Sequence, residues 1–197
     1  MMRKIGLTGN IGSGKTLVSK IFQTFGIPVF EADREGRQVL SSPSAGSRIV
    51  AVFGSGILSG RKIDRKKLAH IVFNDPRLLQ ELNNIIHPAV RERFVRWSEK
   101  QHDAPYLIYE AAVLFESGHH RMFDAVITVF ADAEERIKRV MHRDNMTREM
   151  VLERMKNQWP DEQKIALSDF TINNNGTLFL TPQVEKIHKS ILNMSDE

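Results

Sequence analysis

The residues best placed to do chemistry lie in a glycine-rich stretch near the start of the chain. Residues 9–16 read GNIGSGKT and match GxxxxGK(S/T), the pattern of a loop that wraps phosphates. Such a loop needs inward-pointing backbone N–H groups, which glycines permit, and a helix N-terminus directed at the anion. We expect this loop to hold the phosphates of a nucleoside triphosphate through Gly9, Asn10, Ile11, Gly12, Ser13 and Gly14.

The last two residues of the motif have specific chemical roles. Lys15 is expected to reach the β and γ phosphates, and the Thr16 hydroxyl to bind Mg2+. The sequence therefore predicts a nucleoside triphosphate bound together with Mg2+. The competing dinucleotide-binding pattern GxGxxG is absent, because position 17 is Leu.

A carboxylate follows the second predicted strand. Residues 27–30 (IPVF) lead directly into Glu31-Ala32-Asp33. Ligands of open parallel sheets gather at the carboxyl ends of strands, where Asp33 could accept a hydroxyl proton or hold Mg2+ through water. The alternative is that Asp33 caps a helix over 34–40. Glu31, two residues earlier on the same face of an extended segment, is expected to be structural.

Two arginines lie one helical turn apart further along the chain. Arg139 and Arg143 have the spacing of cations that could cover a transferring phosphoryl group. Solvated arginines on a helix surface are the alternative interpretation.

The elements around these residues predict an α/β fold. Five short apolar runs alternate with helical patterns, which favours a parallel sheet with helices on both faces. The predicted strands are 3–8, 27–30, 106–109, 125–130 and 170–172, and the first helix follows from Thr16 with Leu17, Val18, Ile21, Phe22 and Phe25 at helical spacing.

The segment between the second and third strands is too long for a connection and predicts helices. Asp64 is a candidate cap for a helix over 65–73, Asp75 and Pro76 begin one over 76–86, and Pro88 begins another over 88–101. A later pair over 132–143 and 147–158 predicts a mobile lid, with a capping box formed by Asp132 and Glu135.

Composition limits the choice of compartment and partner. The chain has no cysteine, no leader-like apolar N-terminal stretch and no run long enough to span a bilayer, so we expect a cytoplasmic protein without a membrane partner. Residues 31–103 hold 13 Lys/Arg against 9 Asp/Glu, and the rest is balanced at 15 against 15. No basic helix with interleaved aromatics occurs, so an anionic small molecule is expected rather than nucleic acid. Nothing in the sequence specifies an oligomeric state.

Three classes of phosphate-loop protein compete at this point. A guanine-nucleotide switch lacks support, because DxxG at 33–36 follows the loop too closely and no NKxD string occurs. A motor ATPase would show Asp-Glu after an apolar strand, where residues 106–111 (YLIYEA) offer only Glu110. A kinase for a small acceptor is favoured, with a nucleoside monophosphate kinase and an ATP-dependent switch or scaffold as alternatives.

An ordered set of motifs resembles dephospho-CoA kinases, which use ATP to phosphorylate the ribose 3′-hydroxyl of dephospho-CoA in the last step of coenzyme A synthesis. The motifs are IGLTGNIGSGKT, EAD, IIHP, VLFESG, RD..T.E....R...Q and SDFTINNNG, and they run through nearly the whole chain. The resemblance implies a P-loop nucleoside triphosphate hydrolase-like three-layer fold with a five-stranded parallel sheet. It also implies a single kinase domain over 1–197, with a core at 1–33, 104–140 and 159–197, a helical acceptor-binding subdomain at 34–103 and a lid at 141–158.

The resemblance also assigns roles to individual residues. Asp33 matches the general base, Lys15 and the loop the phosphate clamp, Thr16 the magnesium ligand and Arg143 the lid arginine. Asn174, Asn175 and Gly176 match the segment beside adenine, and Thr8, Asp33 and His87 match acceptor-binding positions. The chain departs from the family where EAAVLFE (110–116) replaces DxPLLFE, which weakens a metal role for Glu110, and where Glu31 replaces the first acid of DAD.

Overall fold

The computed structural model describes residues 2–73 and 75–194. In chain order the elements are β1 (Arg3–Thr8), α1 (Lys15–Thr24), β2 (Val29–Glu31), α2 (Ala32–Val39), α3 (Pro43–Phe53), β3 (Leu58–Ser59), β4 (Lys62–Ile63), α4 (Arg65–Phe73), α5 (Pro76–Ser98), β5 (Tyr106–Glu110), β6 (Ala125–Phe130), α6 (Ala133–Asp144), α7 (Arg148–Met155), α8 (Asp161–Ala166), β7 (Phe170–Asn173) and α9 (Leu180–Leu192). Short 3-10 turns occur at Ser55–Ile57 and His119–Met122. The chain divides into two compact units, Met1–Phe30 with Gln101–Glu197, and Glu31–Lys100.

A five-stranded sheet in the order β2-β5-β1-β6-β7 forms the centre of the first unit. β1 pairs in parallel with β5 on one side and with β6 on the other, and β6 pairs in parallel with β7. The predicted α/β fold with five parallel strands is confirmed. Because all these strands end at the same edge, the loops after β1, β5 and β6 emerge together.

Continuous apolar runs explain why β1, β5 and β6 lie in the middle of the sheet. Tyr106–Glu110 is buried at every position, as expected for a strand covered on both faces. The core between the sheet and its helices includes side chains of β1, α1, β5, β6 and α9. Leu17 is an exception to the predicted helical stripe, because its side chain is 52% exposed at the start of α1.

The second unit is mainly helical, as expected, and α2, α3 and α4 all pack against α5. Asp64 and Asp75 are N-terminal caps, as predicted, because each side chain accepts two backbone N–H bonds from the following turn. The sequence interpretation did not anticipate α3 or the small antiparallel pair β3 and β4.

The prediction of separate helices over 76–86 and 88–101 is wrong. α5 runs without interruption from Pro76 to Ser98, with Pro88 inside it. A proline at this place removes the bond to the Asn84 carbonyl, but both residues lie on the exposed side, where water can satisfy that carbonyl. Buried Leu82, Ile85, Val90 and Phe94 continue one packing face across the proline. No helix among residues 2–73 and 75–194 is long and apolar enough to cross a membrane.

The predicted capping box at Asp132 is also wrong, and the structure rules out the alternative interpretation of Asp33 as a helix cap. Asp132 precedes α6 but makes no capping bond, because its carboxylate accepts from Asn175 Nδ2 at 3.0 Å. Glu135 instead accepts from Lys138. Asp33 is not an N-cap, because α2 begins at Ala32 and Glu31 occupies the cap position. Glu31 and Asp33 therefore do not share a face of one extended segment.

Candidate active site

The phosphate loop connects the carboxyl end of β1 to the first turn of α1. Gly9, Gly12 and Gly14 have backbone φ values of 148°, 81° and 99°, which residues with a side chain rarely adopt. Gly14 is the N-cap of α1, and its carbonyl accepts the N–H groups of Leu17 and Val18 at 2.9 and 3.1 Å. The loop therefore delivers the N-terminus of α1 to the carboxyl edge of the sheet, where an anion is favoured.

The three glycines are also needed because other parts of the chain approach them closely. An added Cβ on Gly9 would lie 2.1 Å from the Val129 carbonyl oxygen, and one on Gly12 would lie 2.5 Å from that of Arg136. At Gly14 it would lie 2.2 Å from Asn174 Nδ2. Packing against β6, α6 and the loop after β7 thus fixes the conformation of the phosphate loop.

Lys15 folds back over the loop that it terminates. Its ammonium donates to the Gly9 carbonyl at 2.8 Å, so the charge lies across the mouth of the loop. The Thr16 side chain is exposed in the first turn of α1. Ser13 Oγ is buried and has no hydrogen-bond partner among the described residues. A hydroxyl inside the loop is therefore available to a ligand.

The residues predicted beside adenine lie next to the phosphate loop. Asn174 Nδ2 donates to the Ser13 carbonyl at 2.7 Å, and Asn175 exchanges two bonds with Asp132. Arg139 joins the two loops, because it donates to the Gly12 carbonyl at 3.4 Å and to that of Asn174 at 2.8 Å. Gly176, at φ 82°, continues this second loop.

Arg143, the predicted lid arginine, is engaged elsewhere. Its guanidinium makes a bidentate pair with Asp144, with bonds of 2.8 and 2.9 Å, and its side chain is 61% exposed. This pairing lowers the pKa of Asp144 and raises that of Arg143. Of the two arginines singled out from the sequence, Arg139 is the one in contact with the phosphate loop.

The remaining predicted residues occupy distinct positions. Thr8 is fully buried as the last residue of β1, and its hydroxyl donates to the Ala112 carbonyl at 3.4 Å. Glu110 is buried at the end of β5, in register with Leu7. Asp33 is exposed in the first turn of α2, directly after β2, and His87 lies within α5. Asp33 and His87 therefore belong to the second unit.

A buried group of four charges supports the phosphate loop and was not assigned from the sequence. Arg136 Nη2 lies 3.0 Å from Asp161 Oδ2, and Lys164 Nζ lies 2.7 Å from Glu116 Oε1. We call these four residues the ionic cluster. Burial raises the pKa of Asp161, against the opposing effect of Arg136, and burial lowers the pKa of Lys164, against the opposing effect of Glu116.

The sequence held a weak signal for this cluster. Glu116 and the neighbouring Gln158 lie within the motifs VLFESG and RD..T.E....R...Q, but membership of a motif does not by itself define a role for either residue. Asp161 and Lys164 are three residues apart in the sequence, a spacing that is typical of an ion pair on the exposed surface of a helix. Their partners, Arg136 and Glu116, are remote in the chain, so only the fold reveals the pairing.

The loop is suited to a nucleoside triphosphate. Its glycine geometry, the buried Ser13 hydroxyl and the Lys15 ammonium supply donors and positive charge without an acidic neighbour in the first turn of α1. Among residues 2–73 and 75–194 no group of three or more His, Cys, Asp or Glu could hold a metal by itself. Mg2+ usually binds through one or two protein oxygens together with substrate phosphates, and the Thr16 hydroxyl can supply such an oxygen.

Comparison with known proteins gives a consistent family. The dephospho-CoA kinase family model matches residues 3–179. A dephospho-CoA kinase of Geobacillus kaustophilus is 40% identical over 181 residues, or 90% of each chain. A crystal structure of TT1252 from Thermus thermophilus superposes with a TM-score of 0.83 at 33% identity, covering 97% of this chain and 96% of that one.

A second solved structure, a dephospho-CoA kinase from Campylobacter jejuni, matches with a TM-score of 0.69 at 26% identity, covering 97% of this chain and 98% of that one. The fold is accordingly the P-loop kinase fold expected from the sequence. With the phosphate loop, the second loop at 174–176 and the motif order all in agreement, the chain belongs to the dephospho-CoA kinase family, a family of ATP-dependent kinases.

Proposed function

We propose that this protein transfers the γ-phosphoryl group of MgATP to the ribose 3′-hydroxyl of dephospho-CoA, giving coenzyme A and ADP. The observation that supports it most is the family match over residues 3–179, which includes both the phosphate loop and the loop that contacts it. Phosphoryl transfer demands mainly positioning and charge neutralisation from a protein, and the phosphate loop, Asp33 and Arg143 are assigned roles of these two kinds.

The nucleotide side of the reaction is assigned to the first unit. The backbone N–H groups at the α1 end of the phosphate loop and the N-terminus of α1 hold the phosphates, and Lys15 exchanges the Gly9 carbonyl for phosphate oxygens. Asn174, Asn175 and Gly176 flank the adenine. The Thr16 hydroxyl would hold Mg2+, which would supply positive charge at the phosphates.

Asp33 is assigned as the general base. It follows β2 directly, at the carboxyl end of a strand, where ligands of parallel sheets collect. Its carboxylate is exposed and can accept the proton of the acceptor 3′-hydroxyl as the new oxygen–phosphorus bond forms. Thr8 and His87 are assigned to the acceptor, and the excess cations of residues 31–103 to its pyrophosphate.

Arg143 is assigned to the transferring phosphoryl group. Its bidentate bond to Asp144 offers the same fork geometry that a phosphate would use. Arg143 is therefore expected to exchange Asp144 for phosphoryl oxygens when the segment 141–158 closes. Closure would also exclude water and limit the hydrolysis of ATP.

The experiment that tests this function measures ADP formation from MgATP with and without dephospho-CoA. Adenosine, AMP and shikimate serve as control acceptors. We expect stimulation by dephospho-CoA alone, with a product phosphorylated at the 3′-oxygen. Stimulation by AMP would instead indicate a nucleoside monophosphate kinase. ADP formation that no acceptor raises would indicate a nucleotide-dependent switch or scaffold.

A further inference from the structure

The ionic cluster connects three chain segments at the carboxyl edge of the sheet. Glu116 Oε1 accepts from the Trp159 N–H at 2.9 Å, and Lys164 Nζ donates to the Ala112 carbonyl at 3.0 Å. These bonds join the segment after β5 to the segment that leads into α8. The side chain of Lys164 is completely buried.

The third segment is the phosphate loop itself. Asn10 Nδ2 donates to Asp161 Oδ1 at 2.8 Å and to the Trp159 carbonyl at 2.9 Å, and the Ile11 N–H donates to Gln158 Oε1 at 2.8 Å. The first half of the phosphate loop thus bonds to residues 158–161. Those residues include the last position of the expected lid and the three that follow it.

Stability is a poor explanation for charges at this depth. Each ion of a buried pair loses favourable contacts with water, and apolar side chains of similar volume often replace such pairs without loss of stability. The side chains of Arg136 and Asp161 are only 7% and 13% exposed, and those of Lys164 and Glu116 are 0% and 14% exposed. The two cations and two anions make the cluster neutral overall. Its hydrogen bonds and ion pairs hold each charged group in one orientation, which apolar side chains in the same place would not do.

We propose that Asp161 and Glu116 are positioning residues for the phosphate loop. Asp161 acts through Asn10, whose side chain it orients, and Glu116 fixes Trp159, whose carbonyl is the second acceptor for Asn10. Neither carboxylate touches a substrate in this assignment. The cluster holds the loop in its phosphate-binding conformation and ties it to the end of the lid, so the inference rests on the proposed kinase function.

The primary test is the equilibrium dissociation constant for ATP, measured by calorimetry on Asp161→Asn. The new amide loses the charge that pairs with Arg136, and it replaces the charge-assisted bond from Asn10 with a weaker neutral one. We expect ATP binding to weaken by about tenfold or more, the size expected when one hydrogen bond to a charged group is lost. Glu185→Gln, which removes an exposed pair with Lys189, is the matched control and should bind ATP normally.

A double-mutant cycle tests whether Asp161 acts through Asn10. If it does, Asn10→Ala combined with Asp161→Asn should weaken ATP binding no more than Asn10→Ala alone. Full additivity of the two effects would overturn the proposed route. Should Asp161→Asn fail to fold, the double replacement Arg136→Met with Asp161→Leu keeps the volume without charge and makes the same prediction for ATP.

The kinetic constants separate positioning from simple loss of folded enzyme. Partial unfolding lowers kcat and leaves both KM values unchanged, whereas a misplaced loop raises KM for ATP and leaves KM for dephospho-CoA within about twofold. Unchanged ATP affinity in folded Asp161→Asn and Glu116→Gln would overturn the inference. Because ATP binding needs no acceptor, a failure of the dephospho-CoA assay in the unsubstituted protein would reject the proposed function without affecting this test.

Discussion

Replacing Gly14 with alanine should damage nucleotide binding far more than global stability. Gly14 has φ 99°, and the added Cβ would lie 2.2 Å from Asn174 Nδ2, so Asn174 must move. A left-handed backbone costs a non-glycine residue about 1–2 kcal/mol, and the lost bond from Asn174 to the Ser13 carbonyl costs about 0.5–1.5 kcal/mol. Because keeping the native loop conformation would cost their sum, about 1.5–3.5 kcal/mol, the unbound loop relaxes away from it, and ATP must restore it at a loss of affinity of roughly ten to a few hundred fold.

A matched control is available at the other end of the same helix. Gly26 has φ 77°, but nothing lies within 4 Å of its added Cβ. Gly26→Ala therefore introduces backbone strain of about 1–2 kcal/mol without a collision. We expect it to lower the free energy of unfolding by that amount and to leave the dissociation constant for ATP unchanged.

The assay is calorimetric titration of ATP into both variants and the unsubstituted protein, with urea unfolding of each. Gly14→Ala should show the larger change in affinity, and Gly26→Ala a change in unfolding only. If Gly14→Ala binds ATP normally, the contact between the phosphate loop and Asn174 does not define the binding conformation. If both variants lose affinity equally, strain in α1 is responsible and the reasoning about Asn174 is wrong.

Four further predictions concern chemistry and stability. Asp33→Asn should lower kcat by about a hundredfold or more, the usual effect of losing a general base, and turnover at the unsubstituted rate would remove Asp33 from the reaction. Lys15→Ala should abolish transfer in a single-turnover assay; a change in apparent ATP affinity alone would contradict its role in the transition state. Burial lowers the pKa of His188, whose Nδ1 lies 2.7 Å from the Tyr106 hydroxyl, so its neutral form is favoured in the folded state. The stability that this provides is fully present above the unfolded pKa of about 6.5 and is lost as pH falls from there through the lower pKa of the folded state. His188→Gln should therefore reduce the difference between the unfolding free energies measured by urea denaturation at pH 7 and at pH 5.5. Asp64→Ala removes a helix cap and should cost about 1 kcal/mol of unfolding free energy, whereas no change would mean that α4 does not need its cap.

Local patterns predicted the sheet and the phosphate loop well. The strands β1, β5 and β6 could be predicted without knowing their neighbours in the sheet. A strand that is buried on both faces has consecutive apolar residues, and these are visible in the sequence alone. The helix caps at Asp64 and Asp75 were predicted for the same reason, since each bonds only to the next turn of its own helix.

Predictions failed where tertiary packing outweighed a local preference. Pro88 normally begins or breaks a helix, yet α5 continues through it because its buried face packs against three neighbouring helices. The capping box at Asp132 failed because Asn175, remote in sequence, offers the carboxylate a better partner. Arg139 and Arg143 looked equivalent by spacing, and only the fold brings Arg139 onto the phosphate loop.

The sequence by itself determined the chemistry of the phosphate loop, because glycines, a lysine and a helix start act through consecutive backbone groups. It also determined the family, because the motifs occur in a fixed order. Tertiary structure alone decided what holds that loop in place. Asp161 meets Arg136 and Asn10, and Lys164 meets Glu116, across separations of 25 to 151 residues. Burial strengthens such contacts and makes their geometry matter, but burial arises only when the sheet and its helices have packed.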